Sequence, residues 1–535
     1  MPRSAHIDRF ARDHLPAAAD LPEFLFDLPA LRFPDTLNVA TELLDSHVAA
    51  GRGERLCLLG EGLRWTYADL HAQANRIAHV LVRDMGLVPG NRVLLRGANS
   101  PMLAACFLAV FKAGGIAVGS MPLLRARELK AIVDKAQISH ALCDTRLLAE
   151  LDSAAAQCPT LRHRHSFHGG SLEGATTAHP AQFDNVATAV DDTALIAFTS
   201  GTTGVPKGTM HFHRDLVAAC ACWPPHVLRP RADDIFIGSP PLAFTFGLGG
   251  LLLFPLAVGA ASVLIEKASP ELLLPAIARW RATVCVTAPT SYRAMAALAA
   301  QHDLSSLRKC VSAGEALPAA TRQLWKDTTG IEIIDGIGST EMLHIFISAD
   351  EAHARPGATG VPVPGYVAAV LDDDGQPVPP GQVGRLAVKG PTGCKYLADE
   401  RQHQYVQQGW NLTGDAYLVD EDGQFVYQAR TDDMIISGGY NIAGPEVEEA
   451  LLLHPAVAEC GVVGVPDADR GQIVKAVVVL RPGHAADAAM AKTLQDFVKA
   501  GIAPYKYPRA IEFRASLPRT ETGKLQRFKL RQETP

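Results

Sequence analysis

Short apolar runs alternate along the chain with longer stretches in which apolar residues recur every three or four positions. The apolar runs predict strands at residues 93–95, 116–118, 195–198, 261–265, 284–287, 310–312 and 332–334. The amphipathic stretches predict helices at residues 68–84, 101–113, 270–281, 292–300 and 318–329. Strands and helices that alternate at this spacing are typical of parallel βαβ units. We therefore predict an α/β fold in which two sheets of the parallel type are layered with helices.

The pattern changes near Gly360, where short strands and turns replace the alternation of strands and helices. Turn signals at residues 374–375, 378–384 and 422–423, with a strand at 385–389, predict a small β subdomain. A charged run at residues 429–433 is followed by a helix at 445–453, strands at 458–465 and 473–480, and a helix at 485–501. We predict a large N-terminal domain over residues 1–431 and a small, mobile α+β domain over residues 432–535.

One stretch has the length and the apolar pattern of a membrane span, because residues 235–265 contain no charged side chain. On length alone such a stretch is able to cross a bilayer. It is interrupted by Pro240, Pro241, Pro255 and several glycines, and its last five residues have a strand pattern. We therefore expect a buried helix followed by a core strand, with no membrane contact.

The composition restricts the class of protein to which the chain can belong. The chain has 535 residues, 48% of them hydrophobic and 20% charged, with a formal net charge of −6, which is typical of a globular protein of more than one domain. Acidic and basic residues are interspersed, which argues against a nucleic-acid surface. The N-terminus lacks the apolar core of a signal peptide. The ten cysteines are scattered, as expected for free thiols in a reducing compartment, so a cytoplasmic location is predicted.

Metal-binding patterns of the zinc type are weak. The cysteines form no CxxC pair, and the one dense histidine cluster, residues 162–168, has no second ligand group at zinc-like spacing. We interpret that cluster as a solvated loop.

The strand at residues 195–198 runs into a loop suited to a polyphosphate. The loop reads Thr199, Ser200, Gly201, Thr202, Thr203, Gly204, and it closes at Pro206, Lys207 and Gly208. Glycines let main-chain N–H groups approach an anion, hydroxyls add donors, and Lys207 adds a positive charge. A Walker loop is excluded, since it needs glycine directly before the lysine and a hydroxyl residue directly after it. A flexible linker is disfavoured because the loop follows a buried strand.

Two further strands end in glycine-bearing loops, at residues 311–316 and 335–341. Ligands of open α/β sheets bind beyond the carboxyl ends of the strands. These loops therefore predict one shared nucleotide site.

The loop at residues 199–208 resembles the signature loop of the adenylate-forming superfamily, which includes acyl- and aryl-CoA ligases, luciferases and peptide-synthetase adenylation domains. Further motifs follow in that family's order at residues 314–316, 335–341, 411–415 and 518–524. The resemblance implies that the chain uses ATP, Mg²⁺ and coenzyme A. It implies a reaction in which a carboxylate attacks the α-phosphate of ATP, giving acyl-AMP and pyrophosphate, before a thiol takes the acyl group.

The resemblance also implies roles for individual residues around the nucleotide. Thr340 would contact the α-phosphate, and Glu341 would coordinate Mg²⁺. Two loops would enclose adenine: Gly314, Glu315 and Ala316 on one side, and Asp335, Gly336, Ile337 and Gly338 on the other. Most relatives carry an aromatic residue where Ile337 stands, so Ile337 is expected to cover adenine by apolar contact without stacking. Asp415 would accept hydrogen bonds from the ribose, and Arg430 would contact ribose and phosphate.

Lys524 corresponds to the family's catalytic lysine, with Lys207 as a second catalytic cation. Asp432 corresponds to the hinge about which the small domain rotates before the second step. That rotation would replace the Lys524 loop with the face of Gly438 and Gly439, which leaves room for a narrow pantetheine arm. A non-catalytic nucleotide-binding protein is the alternative, and the presence of both Lys524 and Glu341 argues against it.

The type of carboxylic acid that the chain would activate is inferred from the motif at residues 241–247. This motif contains no side-chain carboxylate. A buried α-ammonium without a partner is unfavourable, so α-amino acids are disfavoured. Phe244 occupies the family's gating aromatic position. Phe246, Tyr292, Gly338 and His344 are candidate walls of an aromatic acyl pocket, although core packing explains Phe246 and Tyr292 equally well.

Residues 338–346 resemble benzoate-CoA ligases, whereas residues 22–31 and 436–452 resemble 2-aminobenzoate (anthranilate)-CoA ligases. We predict an aryl acid, with 2-aminobenzoate favoured over benzoate and His344 as acceptor for the ortho amino group. Free CoA is the expected acceptor, because the sequence ends eleven residues after Lys524 without a carrier segment. A stand-alone protein that loads a carrier protein in trans remains an alternative, and a homodimer remains open.

Overall fold

A computed structural model of the chain describes residues 3–199, 206–431, 433–437, 440–467, 470–502, 504–519 and 524–532. Several residues singled out above therefore lie outside the described residues: Ser200, Gly201, Thr202, Thr203, Gly204, Asp432, Gly438 and Gly439.

The first sheet of the N-terminal part is formed by six strands of the described residues. In spatial order they are His163–Phe167, His140–Asp144, Arg92–Arg96, Ile116–Ser120, Thr193–Thr199 and Lys207–Phe212. All neighbouring pairs are parallel except the last, which is an antiparallel hairpin. Its central strand, Arg92–Arg96, is buried at every position, as expected for a strand covered on both faces.

The second sheet has nine strands within the described ranges. In spatial order they are Val361–Pro362, Ile345–Ser348, Ile333–Gly338, Lys309–Ser312, Val284–Thr287, Ile235–Gly238, Ala261–Val263, Leu56–Gly60 and Leu63–Thr66. The six strands from Ile333–Gly338 to Leu56–Gly60 run parallel, and the outer strands at both ends are antiparallel.

Helices cover both sheets, and some of them begin at a residue whose side chain caps the first turn. The α-helices of the N-terminal part are Phe10–Asp13, Ser46–Ala49, Tyr67–His79, Pro101–Lys112, Ala126–Ala136, Leu148–Ala155, Ser171–Thr177, His213–Trp223, Thr245–Leu248, Phe254–Val258, Pro270–Trp280, Pro289–Ala296, Ala319–Thr329 and Gln402–Tyr405. Short 3₁₀ or π turns lie at Ala18–Asp20, Pro29–Leu31, Thr41–Asp45, Val80–Asp84, Thr145–Leu147, Pro224–Leu228, Gly249–Leu253 and Ala299–Gln301. Thr66 and Asp69 form a reciprocal capping box at 3.1 and 2.8 Å.

The β subdomain follows the second sheet in the chain. Its strands are Val367–Leu371, Gly384–Lys389, Val406–Gln407, Trp410–Val419 and Phe425–Arg430, all paired antiparallel. The C-terminal part has the strands Ile435–Ser437, Tyr440–Ile442, Val457–Asp467, Gly471–Leu480 and Ala510–Phe513. Its helices are Gly444–Leu452, Ala488–Gly501 and Arg527–Gln532, with a 3₁₀ turn at Pro504–Lys506.

The predicted α/β class, with two large sheets, a β subdomain and a small α+β C-terminal part, is confirmed. The sheets are mixed rather than wholly parallel, because hairpins close their edges. The charge-free stretch forms two buried strands around the helical segment 245–258. Within the described residues, no helix combines the length and apolar character needed to cross a membrane.

One local expectation is wrong. The histidine cluster forms the edge strand His163–Phe167, not a loop, and it pairs in parallel with His140–Asp144. An edge strand needs partners on one side only, so polar side chains are tolerated there.

Candidate active site

The hairpin formed by Thr193–Thr199 and Lys207–Phe212 belongs to the first sheet and contacts the residues that follow the strand Ile333–Gly338 of the second. Thr199 and Lys207 pair directly across that hairpin, and they flank residues 200–205 in the sequence. Further along the second strand, a ring nitrogen of His211, Nε2, donates to the carbonyl oxygen of Thr340 at 2.8 Å. Burial lowers the pKa of His211, so the ring is neutral and its one proton lies on the nitrogen that faces Thr340.

Glu341 lies beside Lys207 at this junction. The Nζ atom of Lys207 is 3.8 Å from Oε1 of Glu341. The same oxygen accepts a hydrogen bond of 2.5 Å from the hydroxyl of Tyr396. No hydrogen bond from the described residues reaches the other oxygen, Oε2. A carboxylate with one oxygen that accepts no hydrogen bond from the described residues suits a hard divalent cation, because such cations prefer oxygen ligands.

The first predicted adenine loop follows the strand Lys309–Ser312, whereas residues 335–338, predicted as a loop, are the last four residues of the strand Ile333–Gly338. Gly314 has a φ of +93°, which only glycine adopts without strain. Gly314, Ala316 and Gly338 are exposed, Ile337 is half-buried and Gly336 is buried. Asp335 is buried, and its Oδ1 has no hydrogen-bond partner among the described residues. Burial raises the pKa of Asp335 to about 7, so this carboxyl is suited to a ligand that supplies a donor.

Asp415 and Arg430 face each other on the adjacent strands Trp410–Val419 and Phe425–Arg430. Their side chains approach to 3.2 Å, and Arg430 also donates to the carbonyl of Thr413 at 3.0 Å. Burial raises the pKa of Asp415 despite the opposing effect of Arg430. This pair places an acceptor and a cation together at the rim of the β subdomain.

Lys524 reaches this region from the C-terminal part. Its Cε atom is 3.7 Å from the position that a Cβ on Gly314 would occupy. Leu525 next to it donates its N–H to Oε1 of Glu315 at 3.1 Å, and Arg519 lies 3.7 Å from the same oxygen. Burial raises the pKa of Glu315, while Arg519 and Lys524 oppose that shift. The structure therefore brings Lys524 beside the Gly314 loop and within electrostatic reach of Asp415.

An aromatic cluster surrounds His344. Its ring centroid lies 5.7 Å from those of Trp223 and Phe246 and 4.5 Å from that of Phe254. The Nε2 atom of His344 faces the carbonyl oxygen of Phe246 at 3.3 Å, whereas its buried Nδ1 has no partner among the described residues. Burial lowers the pKa of His344 to about 3. The ring is therefore neutral, with Nε2 as donor and Nδ1 as a vacant acceptor.

Small residues make room for this ring. A Cβ on Gly249 would come within 2.4 Å of Cδ2 of the His344 ring. A Cβ on Gly338 would come within 2.6 Å of the main-chain carbonyl oxygen of His344. Phe244 is half-buried and directly precedes the helix Thr245–Leu248.

Tyr292 does not join this cluster, which corrects the expectation that it lines the acyl pocket. Its hydroxyl lies 3.0 Å from the carbonyl oxygens of both Cys285 and Val311, which accept its one proton between them. Its ring packs against Trp325 at 5.0 Å, within a different core cluster from that of Trp223 and Phe254, which surround His344. Two main-chain acceptors satisfy the buried hydroxyl, so Tyr292 is explained by core packing.

Sequence reasoning missed a buried ion pair behind this junction. Lys395 and Asp215 are both fully buried, and their charged atoms lie 2.8 Å apart. Burial, the largest single effect, raises the pKa of Asp215, but Lys395 together with His211 and Arg214 outweighs it and holds that pKa well below its ordinary value. Oδ2 of Asp215 also accepts the N–H of Phe212 at 3.0 Å and lies 3.8 Å from Nδ1 of His211. The signal was a lysine inside the short apolar segment 394–397.

A second polar cluster has the composition of a metal site. Among the described residues, ligand atoms of Asp144, His168 and Glu266 lie within 4.8 Å of one another. Arg146, however, donates to Asp144 at 2.6 Å and to Glu266 at 2.7 Å. The guanidinium supplies the positive charge between the two carboxylates, so the cluster is an ion-pair network between the two large sheets.

Comparisons with known proteins agree with this arrangement. Residues 46–397 match the AMP-binding enzyme family, and residues 446–524 match the AMP-binding enzyme C-terminal domain. The chain is 36% identical to the benzoate–CoA ligase of Thauera aromatica over 94% of this chain and 97% of that protein.

Two solved structures are similar over nearly the whole chain. One is the anthranilate CoA ligase AuaEII in complex with anthranoyl-AMP, at 37% identity and a TM-score of 0.90, covering 94% of this chain and 98% of that one. The other is a benzoate CoA ligase from Burkholderia xenovorans LB400, at 32% identity and a TM-score of 0.85, covering 92% and 99%.

The chain therefore belongs to the family of AMP-binding, adenylate-forming enzymes. Within it, the protein is an AMP-forming ligase of the acid–thiol class, whose substrates are ATP, CoA and a carboxylic acid. The family and the enzyme class predicted from the motifs are thus confirmed.

The buried Lys395–Asp215 pair predicts a large stability effect. Replacing Lys395 by Met leaves the Asp215 carboxylate buried without its counter-ion, which is expected to destabilise the protein by about 3–5 kcal/mol. Lys389→Met is the matched control, because Lys389 pairs at 2.5 Å with Glu23, whose side chain is 58% exposed; such pairs contribute about 0–1 kcal/mol.

Thermal and urea unfolding of both variants measure the difference. Adding Asp215→Asn to Lys395→Met should recover part of the loss, because the unpaired charge is removed. Equal destabilisation by Lys395→Met and Lys389→Met would contradict the importance of the buried pair.

Proposed function

We propose that the protein is an ATP-dependent aryl-CoA ligase that activates 2-aminobenzoate in preference to other acids. The observation that carries this proposal is the neutral, buried His344 in an aromatic cluster, with Nδ1 as an acceptor that no described residue satisfies. An aryl amine is neutral at pH 7 and is a hydrogen-bond donor. It suits a neutral acceptor, whereas an α-ammonium would need a carboxylate there.

The similarity of the chain to the anthranilate CoA ligase structure supports the same acid. Benzoate is the alternative, supported by similarity to the two benzoate–CoA ligases. Benzoate would fill the aromatic cluster but would leave Nδ1 of His344 unpaired. A buried acceptor left without a partner is unfavourable by about 1–3 kcal/mol, which favours the amino-substituted ring.

In the first step, a carboxylate oxygen of the acid would bond to the α-phosphorus of ATP while the bond to the β-phosphate breaks. All the reacting groups are anionic, so the protein's contribution is alignment and charge compensation. Lys207 and the residues 199–204 would hold the β- and γ-phosphates, Thr340 the α-phosphate, and Lys524 the developing charge. Mg²⁺, held by Glu341, would neutralise phosphate charge when bound.

The nucleotide would lie across the loops already described. Asp335 offers its vacant Oδ1 to the adenine amino group, and Gly314, Glu315, Ala316, Gly336, Ile337 and Gly338 enclose the ring. Asp415 would accept from the ribose hydroxyls, with Arg430 beside it. The position of Lys524 against Gly314 supports an arrangement suited to adenylation.

In the second step, the sulfur of CoA would attack the acyl carbon and AMP would leave. We propose that the small domain, beginning at Asp432, turns about that residue and brings Gly438 and Gly439 to the site. Free CoA is the proposed acceptor, and a carrier protein in trans is the alternative.

A panel of aryl acids tests the acid assignment. The wild type should form the CoA thioester of 2-aminobenzoate with a higher kcat/KM than that of benzoate, as scored by thioester mass. His344→Phe should lower kcat/KM for 2-aminobenzoate roughly tenfold relative to benzoate, because one buried hydrogen bond is lost. His47→Phe is the matched control, because His47 is also buried and its Nε2 faces a main-chain carbonyl, that of Leu256, at 2.7 Å.

The outcomes separate the alternatives. A wild type that prefers benzoate would select the benzoate–CoA ligase. Pyrophosphate release without CoA consumption would select the carrier-loading protein. An unchanged acid preference in His344→Phe would remove the proposed role of His344.

Lys524→Ala tests the assignment of the catalytic cation. Adenylation, followed by exchange of labelled pyrophosphate into ATP, should slow about 100-fold or more, because a charge that stabilises the transition state is removed. ATP binding should change little, since the loop donors remain. Lys529→Ala is the matched control, an exposed lysine on the helix Arg527–Gln532. Undiminished exchange in Lys524→Ala would refute the role.

A further inference from the structure

Tyr396 belongs to a segment that the motifs did not single out. Residues 394–397 run beside the strand Lys207–Phe212, where Leu397 donates to the carbonyl of Gly208 and Met210 donates to that of Lys395, both at 2.8 Å. The N–H of Tyr396 itself donates to Oε1 of Gln402 at 2.9 Å. Main-chain bonds therefore fix the position from which the Tyr396 side chain extends.

The hydroxyl of Tyr396 donates to Oε1 of Glu341 at 2.5 Å. A carboxylate oxygen can only accept, so the phenol is the donor in this hydrogen bond. Lys207 approaches the same carboxylate oxygen to 3.8 Å and lies 5.1 Å above the Tyr396 ring.

A second tyrosine, Tyr405, contacts the other end of the segment 339–341, which ends at Glu341. The rings of Tyr396 and Tyr405 meet edge to face at 5.9 Å and 69°. The hydroxyl of Tyr405 pairs with Oγ of Ser339 at 3.2 Å, two residues before Glu341. Residues 339–341 are thus held at both ends, by Tyr405 at Ser339 and by Tyr396 at Glu341.

Oε1 of Glu341 thus accepts a hydrogen bond from Tyr396, whereas Oε2 accepts none from the described residues. We propose that Tyr396 is a positioning residue for Glu341: it holds Oε1 so that Oε2 is presented to the divalent cation that accompanies ATP. The inference rests on the proposed function only in assigning Glu341 to that cation. It would hold for any carboxylic acid that the protein activates.

The test uses Tyr396→Phe, which removes the hydroxyl and keeps the ring. Loss of a hydrogen bond that orients a metal ligand weakens metal affinity about 10- to 100-fold. The Mg²⁺ concentration that half-saturates ATP binding, measured by calorimetry, should therefore rise about tenfold. ATP binding in EDTA and the KM for the acid should stay unchanged, and excess Mg²⁺ should restore the rate.

Tyr67→Phe is the matched control. It also removes a buried hydroxyl, one that donates to the carbonyl of Ala260 at 2.8 Å, in the core and away from Glu341. All titrations are made well below the melting temperature of each variant. A purely structural effect of Tyr396→Phe would lower its melting temperature but leave its Mg²⁺ dependence normal.

Two results would overturn the proposal. One is an unchanged Mg²⁺ requirement in Tyr396→Phe, and the other is equal weakening of ATP binding with Mg²⁺ and with EDTA. The proposed function fails separately, if the wild type forms no aryl thioester. In that case the calorimetric Mg²⁺ titration with ATP still reports on Tyr396.

Discussion

The contact on which the rest of the site depends is the meeting of the strand Lys207–Phe212 with residues 339–341. It joins the two large sheets, since the strand belongs to one and the loop follows a strand of the other. At that junction His211 fixes the Thr340 carbonyl, and Lys207 lies beside Glu341. A site for a polyphosphate with a cation needs positive and negative groups side by side, and Lys207 and Glu341 lie 3.8 Å apart, at ion-pair distance.

The junction is held rigid from behind by groups that have no access to solvent. The Lys395–Asp215 pair lies against His211, and Tyr396 lies against Glu341. Lys395 and Tyr396 both come from residues 394–397, so one short segment supports His211, through Asp215, and Glu341 together. Preorganised charges of this kind reduce the reorganisation needed when a highly anionic reaction proceeds. The proposed acyl pocket follows the opposite rule, because burial keeps His344 neutral, and a neutral ring would favour a neutral donor on the acid.

The sequence predicted the architecture and the family well, because both rest on local signals. Among the described residues, apolar periodicity located three strands of the first sheet and four of the second, and contiguous motifs marked the region where their carboxyl ends lie. It failed where the answer depended on contacts between distant residues. Tyr292 has the right type and neighbourhood for a pocket wall, yet two main-chain carbonyls brought together by the sheet hold it in the core. Tyr396 and Glu341 are 55 residues apart, and no pattern in either segment indicates that they touch. The strand His163–Phe167 was missed because its polar side chains are permitted only by its place at a sheet edge.

The central claim is that the acid is activated by attack of its carboxylate on the α-phosphate. Incubating the protein with ATP, CoA and 2-aminobenzoate labelled with ¹⁸O in the carboxylate tests it most directly, with AMP, pyrophosphate and phosphate analysed by mass spectrometry. The account predicts one ¹⁸O atom in AMP for each thioester formed and none in pyrophosphate. Label in phosphate or pyrophosphate, or thioester formation with unlabelled AMP, would contradict it.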